Sequence, residues 1–179
     1  AGGCFWCMEP PFTGIEGVIN QQVGYTGGEG EDPTYEEVST GDTGHVEAIQ
    51  ILFDESKVSY EHLLHLFFFN IDPLDSNGQF VDRGSQYRTA IFYHTEDQRK
   101  RALKVIEELK LARHFSKIET KILPFRAFYP AEEWHQRFYQ KNPEHYERYK
   151  KGSGRQERLK EIWGPQDGCG PCGGNACGI

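Results

Sequence analysis

No apolar run in this sequence approaches the roughly 20 residues that a membrane-spanning helix needs. The longest, Leu63 to Phe69, is interrupted by His65. Positive charge is scarce as well: 20 Lys and Arg stand against 27 Asp and Glu, a net charge of −7. A nucleic-acid surface would be basic, so that class is excluded. Five cysteines make an odd number and a poor framework for a disulfide-stapled secreted module. No secretory leader is visible, which favours the cytoplasm. The chain starts on Ala1 and not on Met, so a leader further upstream stays open. Methionine is nearly absent, with Met8 alone, but low counts are common and exclude nothing.

What is present suffices for one domain. A chain of 179 residues with 37% hydrophobic content can bury a real core. The cysteines are not spread along it. Cys4 and Cys7 stand at the start, and Cys169, Cys172 and Cys177 crowd the end. That distribution suggests redox work in place of stapling.

The stretch the rest is organised around is Gly2-Gly3-Cys4-Phe5-Trp6-Cys7. Two glycines allow a sharp turn and a close backbone approach. Pro10-Pro11 follows, a stiff pair suited to a first helical turn. The pattern predicts a turn delivering Cys4 to a helix N-terminus, where free amides and the positive dipole end favour a thiolate nucleophile. Two other readings stand beside it. Cys4 could be a small buried hydrophobe. Cys4 and Cys7 with Cys169 and Cys172 could also hold one zinc ion, although Phe5-Trp6 is an odd filling for a knuckle and Cys177 would be left over.

Strands are expected over 18–25, 46–53, 86–93 and 119–123, and helices over 8–14, 59–70, 96–113, 131–141 and 156–163. Residues 27–33 cannot continue a strand and make a loop, with Tyr35 at its end. In the second strand Glu47 shares a face with Ile49, Ile51 and Phe53, where a carboxylate is costly unless protonated or hydrogen-bonded. The alternative is a strand-end glutamate reaching solvent. His62 and His65 lack a third ligand and read as partly exposed. Strands interleaved with helices give a two-layer α/β (α+β) fold. Residues 1–150 form the expected domain, and 151–179 a flexible, glycine-rich arm. The arm carries Cys169-Gly-Pro-Cys172, the thioredoxin active-site tetrapeptide, but only seven residues follow it, so a thioredoxin domain is excluded.

Gly3-Cys4-Phe5-Trp6 with Glu9, Gly24-Tyr25-Thr26-Gly27-Gly28, Pro33-Thr34-Tyr35, Gly41-Asp42-Thr43-Gly44-His45 with Glu47, and Gln86-Tyr87-Arg88 together resemble the peptide methionine sulfoxide reductase A family. The resemblance runs from Ala1 to about residue 146. It implies a ferredoxin-like sandwich with a mixed, mainly antiparallel sheet, long loops and coil-rich termini. It implies Cys4 as nucleophile, Glu47 as acid, and Tyr35 and Tyr87 as hydroxyl donors to the sulfoxide oxygen. Phe5 and Trp6 would form the pocket for the S-methyl group, Asp82 would contact substrate and water, and His135 would sit on the rim.

The implied reaction turns methionine S-sulfoxide, free or in proteins, into methionine and leaves a sulfenic acid on Cys4. One of Cys169, Cys172 and Cys177 would attack it, with a second passing the disulfide to thioredoxin or another dithiol. Cys7 departs from members that have Gly there. It could close on Cys4 only through a short, strained loop, so it ranks behind the tail. No bound cofactor or metal, no nucleic acid or membrane partner, and a monomeric state are expected. A general thiol–disulfide oxidoreductase is the remaining alternative.

Overall fold

The computed structural model describes residues 1–164. Cys169, Cys172 and Cys177 therefore lie outside the described residues. The middle of the molecule is β1 (Val18–Thr26), which pairs antiparallel with β2 (Val46–Phe53) on one edge and with β7 (Phe128–Pro130) on the other. The register sets Tyr25 opposite Glu47 on one side and opposite Tyr129 on the other. β2 alternates as its sequence requires: Glu47, Ile49, Ile51 and Phe53 turn inward, while Gln50 and Leu52 face solvent. A short hairpin joins β3 (Gly78–Gln79) to β4 (Asp82–Arg83). β5 (Ala90–Tyr93) and β6 (Lys121–Pro124) form a parallel pair, bridged by a helix as parallel strands must be. Ala1 runs beside β5, exchanging backbone bonds with Ala90 at 2.8 and 3.0 Å. The result is a mixed α/β fold with an antiparallel sheet.

Two helices supply most of the core. Ser59 caps α3 (Tyr60–Phe69), its hydroxyl accepting from the His62 amide. Thr95 caps α4 (Glu96–Arg113) in the same way, and acidic residues open this helix while Lys110 and Arg113 close it, as the dipole favours. Ala102, Val105, Ile106 and Leu109 form the buried stripe of α4. They meet Leu63, Leu64, Phe67 and Phe68 of α3. Full burial of each Val, Leu, Ile or Phe side chain among them stabilises the fold by about 1.5–3 kcal/mol.

Several elements differ from expectation. The first helix is α1 (Phe5–Met8), one turn only, followed by a 3-10 turn at Pro10–Phe12. Tyr35 opens α2 (Tyr35–Ser39), which is fixed by a capping box between Thr34 and Glu37. The strand expected over 86–93 begins only at Ala90, because Ser85–Tyr87 coil into a 3-10 turn after Gly84. The helix expected over 131–141 is reduced to α5 (Phe138–Lys141). Residues 131–136 instead satisfy the free edge of β1: the Ala131 amide and the Gln136 side chain bond the Val23 backbone.

The boundary expected at residue 150 falls inside α6 (Pro143–Gly152). α7 (Arg155–Trp163) then packs on the core through Leu159 and Trp163. The Trp163 indole donates to the Ile71 carbonyl, and Arg158 pairs with Asp72 at 2.7 Å. Residues 151–164 thus belong to the domain, and of the expected arm only 165–179 lie outside the described residues.

Candidate active site

The glycine turn is held from both sides. Gly3 takes φ +80°, and a Cβ there would stand 2.6 Å from Cβ of Gln79. A Cβ on Gly2 would meet the Met8 sulfur at 2.7 Å. Gln79 is fully buried and ties the β3–β4 hairpin to Asp72 through two backbone bonds made by its amide group, which also donates to the Gly78 carbonyl. Only glycine lets the opening turn close onto that hairpin. Cys4 comes out as the N-cap residue of α1, as expected.

Glu47 lies across from it and is 3% exposed. The Phe5 amide donates to its Oε2 at 2.9 Å. Burial outweighs that bond, and the neighbouring Asp82 and Cys7 add to it, so the Glu47 carboxyl is pushed up to about 8. It is mostly protonated at neutral pH. With Oε2 already accepting, the proton belongs on Oε1. Tyr35 and Tyr87 are half-buried, and both phenols are raised by burial and then by the facing Glu47. Both are neutral donors. The structure therefore gathers Cys4, Glu47, Tyr35, Tyr87 and Asp82 around one spot.

The charge state of Cys4 differs from expectation. α1 is a single turn, and the Cys4 side chain is only 7% exposed. Burial raises the thiol well above its usual range, and contact with Cys7 and the field of Glu47 raise it further. The neighbouring Tyr149 hydroxyl opposes them. The resting sulfur is a thiol, since a four-residue helix end cannot offset the desolvation of a buried thiolate. Tyr149 also donates a short hydrogen bond to Asp82 Oδ2, linking α6 to the hairpin. Burial raises Asp82, which the Tyr149 bond partly offsets.

The aromatics sort into floor and wall. Phe5 is 1% exposed, packed on Tyr25 and His135 in a core cluster. Its ring is a core aromatic and not a pocket face, and its contribution to the site is its amide. Trp6 is partly exposed and lies flat on Phe138, with ring centroids 3.7 Å apart. Its indole N–H donates to Nδ1 of His135 at 2.9 Å. His135 is not on a rim: it is fully buried among Phe5, Trp6, Tyr35 and Trp134. Burial lowers it to about 4, so the ring is neutral. Its place is under the wall, orienting Trp6.

A sequence model of the family described as peptide methionine sulfoxide reductase matches residues 1–167. The chain belongs to the peptide methionine sulfoxide reductase family. It is 52% identical over 165 residues to peptide methionine sulfoxide reductase MsrA of Bacillus licheniformis, covering 92% of this chain and 91% of that one. It is 48% identical over 168 residues to MsrA 2 of Staphylococcus aureus, covering 93% and 95%. Among solved structures, reduced Mxr1 of Saccharomyces cerevisiae superposes with a TM-score of 0.76 at 34% identity, over 80% of this chain and 83% of that one. Methionine sulfoxide reductase A of Corynebacterium diphtheriae superposes at 0.74 with 33% identity, over 79% and 72%.

Three site residues of this peptide methionine sulfoxide reductase escaped sequence reasoning. Tyr149 carries no motif of its own in the sequence. Trp134, half exposed, stands edge-on to both Trp6 and Tyr35. Glu132 accepts from the Tyr35 amide and the Tyr25 hydroxyl, both at 2.9 Å, which fixes the start of α2. The adjacent Trp134-His135 pair was the available signal for Trp134. For Glu132 and Tyr149 nothing local exists, because their partners are 97 and 67 positions away. Among the described residues no group of three His, Cys, Asp or Glu side chains is placed to hold a metal.

Proposed function

We propose that this peptide methionine sulfoxide reductase acts through attack of the Cys4 sulfur on the sulfoxide sulfur, with Glu47 as the acid. The single observation that carries the reading is Glu47: a carboxyl kept protonated by burial and tied by the Phe5 amide to the residue after the nucleophile. Glu47 protonates the sulfoxide oxygen, which makes the sulfur electrophilic. Tyr35 and Tyr87 hold that oxygen as charge shifts onto it. The proton leaving Cys4 replaces the one Glu47 gave. Oxygen ends on Cys4 as a sulfenic acid, and methionine departs.

Trp6 forms the apolar wall for the S-methyl group, with Asp82 at the polar edge and Phe5 and His135 supporting from beneath. The oxidising equivalent then passes through Cys169, Cys172 and Cys177 to a dithiol of the thioredoxin type. On the resemblance we read the substrate as the S epimer, free or in proteins, and the enzyme as a cytoplasmic monomer. We also read β2-β1-β7 and the β5-β6 pair as parts of one ferredoxin-like layer, since Ala1 bonds to Ala90 of β5 and Gly2 bridges to Thr89 just before it.

The test is to offer the two epimers of a peptide methionine sulfoxide with thioredoxin as reductant. Consumption of the S epimer alone is expected. Reduction of disulfides with neither sulfoxide consumed would replace this reading with a general thiol–disulfide oxidoreductase.

A further inference from the structure

From the sequence alone, a loop closing Cys7 on Cys4 reads as short and strained. The geometry removes that objection. Cys7 is the third residue of the turn that Cys4 caps, and its amide donates to the Cys4 carbonyl at 3.1 Å. Two Cα atoms three apart on a helical turn are roughly 5 Å from each other. A disulfide spans about 4.4–6.8 Å between Cα atoms. Both thiols are free, buried and in hydrogen-bond contact with each other.

The two thiols touch each other but border different spaces. Cys4 belongs to the chamber with Glu47, Tyr35 and Tyr87. Cys7 lines a separate cleft of about 510 Å³ between Pro10-Pro11 and the helices α6 and α7, where Tyr146, Lys150 and Arg155 also line it. Arg155 is 4% exposed and donates through Nη1 to the Asn70 carbonyl. Its Nε and Nη2 are buried with no hydrogen-bond partner among the described residues. The guanidinium lies over the Phe80 ring at 4.3 Å. The hydrogen bond with Cys4 first, and then the charges of Arg155 and Lys150, favour the Cys7 thiolate against its burial and the field of Asp82.

We propose that Cys7 is the first resolving thiol, closing a Cys4–Cys7 disulfide whose outer sulfur opens onto the α6–α7 cleft. The inference rests on the assignment of Cys4 as nucleophile. Cys7 sulfur attacks Cys4 sulfur, the S–O bond of the sulfenic acid breaks, and the hydroxyl leaves as water with the Cys7 thiol proton. No outside oxidant or reductant enters this step. A tail thiol or a small dithiol then attacks the Cys7 sulfur from the cleft, and Cys4 is released reduced.

The experiment uses the full, reduced chain and one equivalent of N-acetyl-methionine S-sulfoxide. Samples are quenched over time with N-ethylmaleimide, the product methionine is quantified, and disulfides are mapped by peptide mass. A Cys4–Cys7 link preceding any link to residues 165–179 is expected. The C169S/C172S/C177S variant is expected to accumulate the same link in step with product. Cys7→Ser is expected to leave a Cys4 sulfenic acid that dimedone traps. Product release with Cys7 alkylated at every time, and Cys4 joined directly to a tail cysteine, would overturn the inference and leave the Cys4 assignment standing. Absence of product would overturn both.

Discussion

The amide of Phe5 and the Oε2 oxygen of Glu47 are joined at 2.9 Å across 42 positions of sequence. The residue that follows the nucleophile is thus bonded directly to the acid. Any shift of the opening turn moves Cys4 and disturbs Glu47 together. The acid is buried because β2 places it on its inward face, opposite Tyr25.

Glu47→Gln is expected to abolish reduction and to stabilise the fold. An ordinary glutamate titrates near 4.3, whereas folded Glu47 is pushed up to about 8. Between those values the folded state holds a proton that the unfolded chain has lost. Wild-type stability therefore falls as pH rises toward 8 and then levels off. Glutamine carries no such penalty. The variant is expected to gain on the order of 2–4 kcal/mol at pH 8 to 9, and little at pH 4 to 5, in chemical unfolding.

For the same reason, the rate of wild-type reduction is expected to fall as pH rises through about 8, where Glu47 loses its proton. A pH–rate profile under single-turnover conditions reads this limb without interference from recycling.

Tyr149→Phe removes the hydroxyl that serves both Cys4 and Asp82. It is expected to lower the single-turnover rate about 10- to 100-fold. Iodoacetamide alkylation of Cys4 is expected to slow at a given pH, since the hydroxyl that holds its thiol down is gone.

Trp6→Phe keeps the stacking on Phe138 but deletes the donor to His135. His135 Nδ1 is then buried without a partner, at a cost of about 1–3 kcal/mol. Thermal unfolding reads the loss, and a rise in KM larger than any fall in kcat is expected if the wall is what receives the methyl group.

Cutting the chain after Trp163 keeps α7 intact and is expected to leave stability unchanged. One methionine per molecule is expected to be released, and thioredoxin-driven cycling is expected to stop. Cutting before Arg155 also strips Leu159 and Trp163 from the core. That form is expected to lose about 3–5 kcal/mol or more.

Much of the fold was legible where the pattern is local. α4 spans the 96–113 that its helical pattern predicts, and β2 follows its alternation. The pattern failed where distant groups take over the backbone. Residues 131–136 look helical, but the open edge of β1 claims their hydrogen bonds. α7 follows a glycine- and lysine-rich stretch that reads as linker, and its docking depends on the distant Asn70, Ile71 and Asp72. At the site, Cys4, Glu47, Tyr35, Tyr87 and Asp82 could be named from sequence and do converge. The protonation of Cys4 could not, because burial is set by the whole fold and a motif shows only the helix end.

The most direct measurement is a single-turnover assay of Cys4→Ser against wild type, with excess protein and a methionine S-sulfoxide peptide. Wild type is expected to release stoichiometric methionine and the variant none, with both chains equally folded by circular dichroism. Methionine formed by the variant at an appreciable fraction of the wild-type rate would contradict Cys4 as the nucleophile.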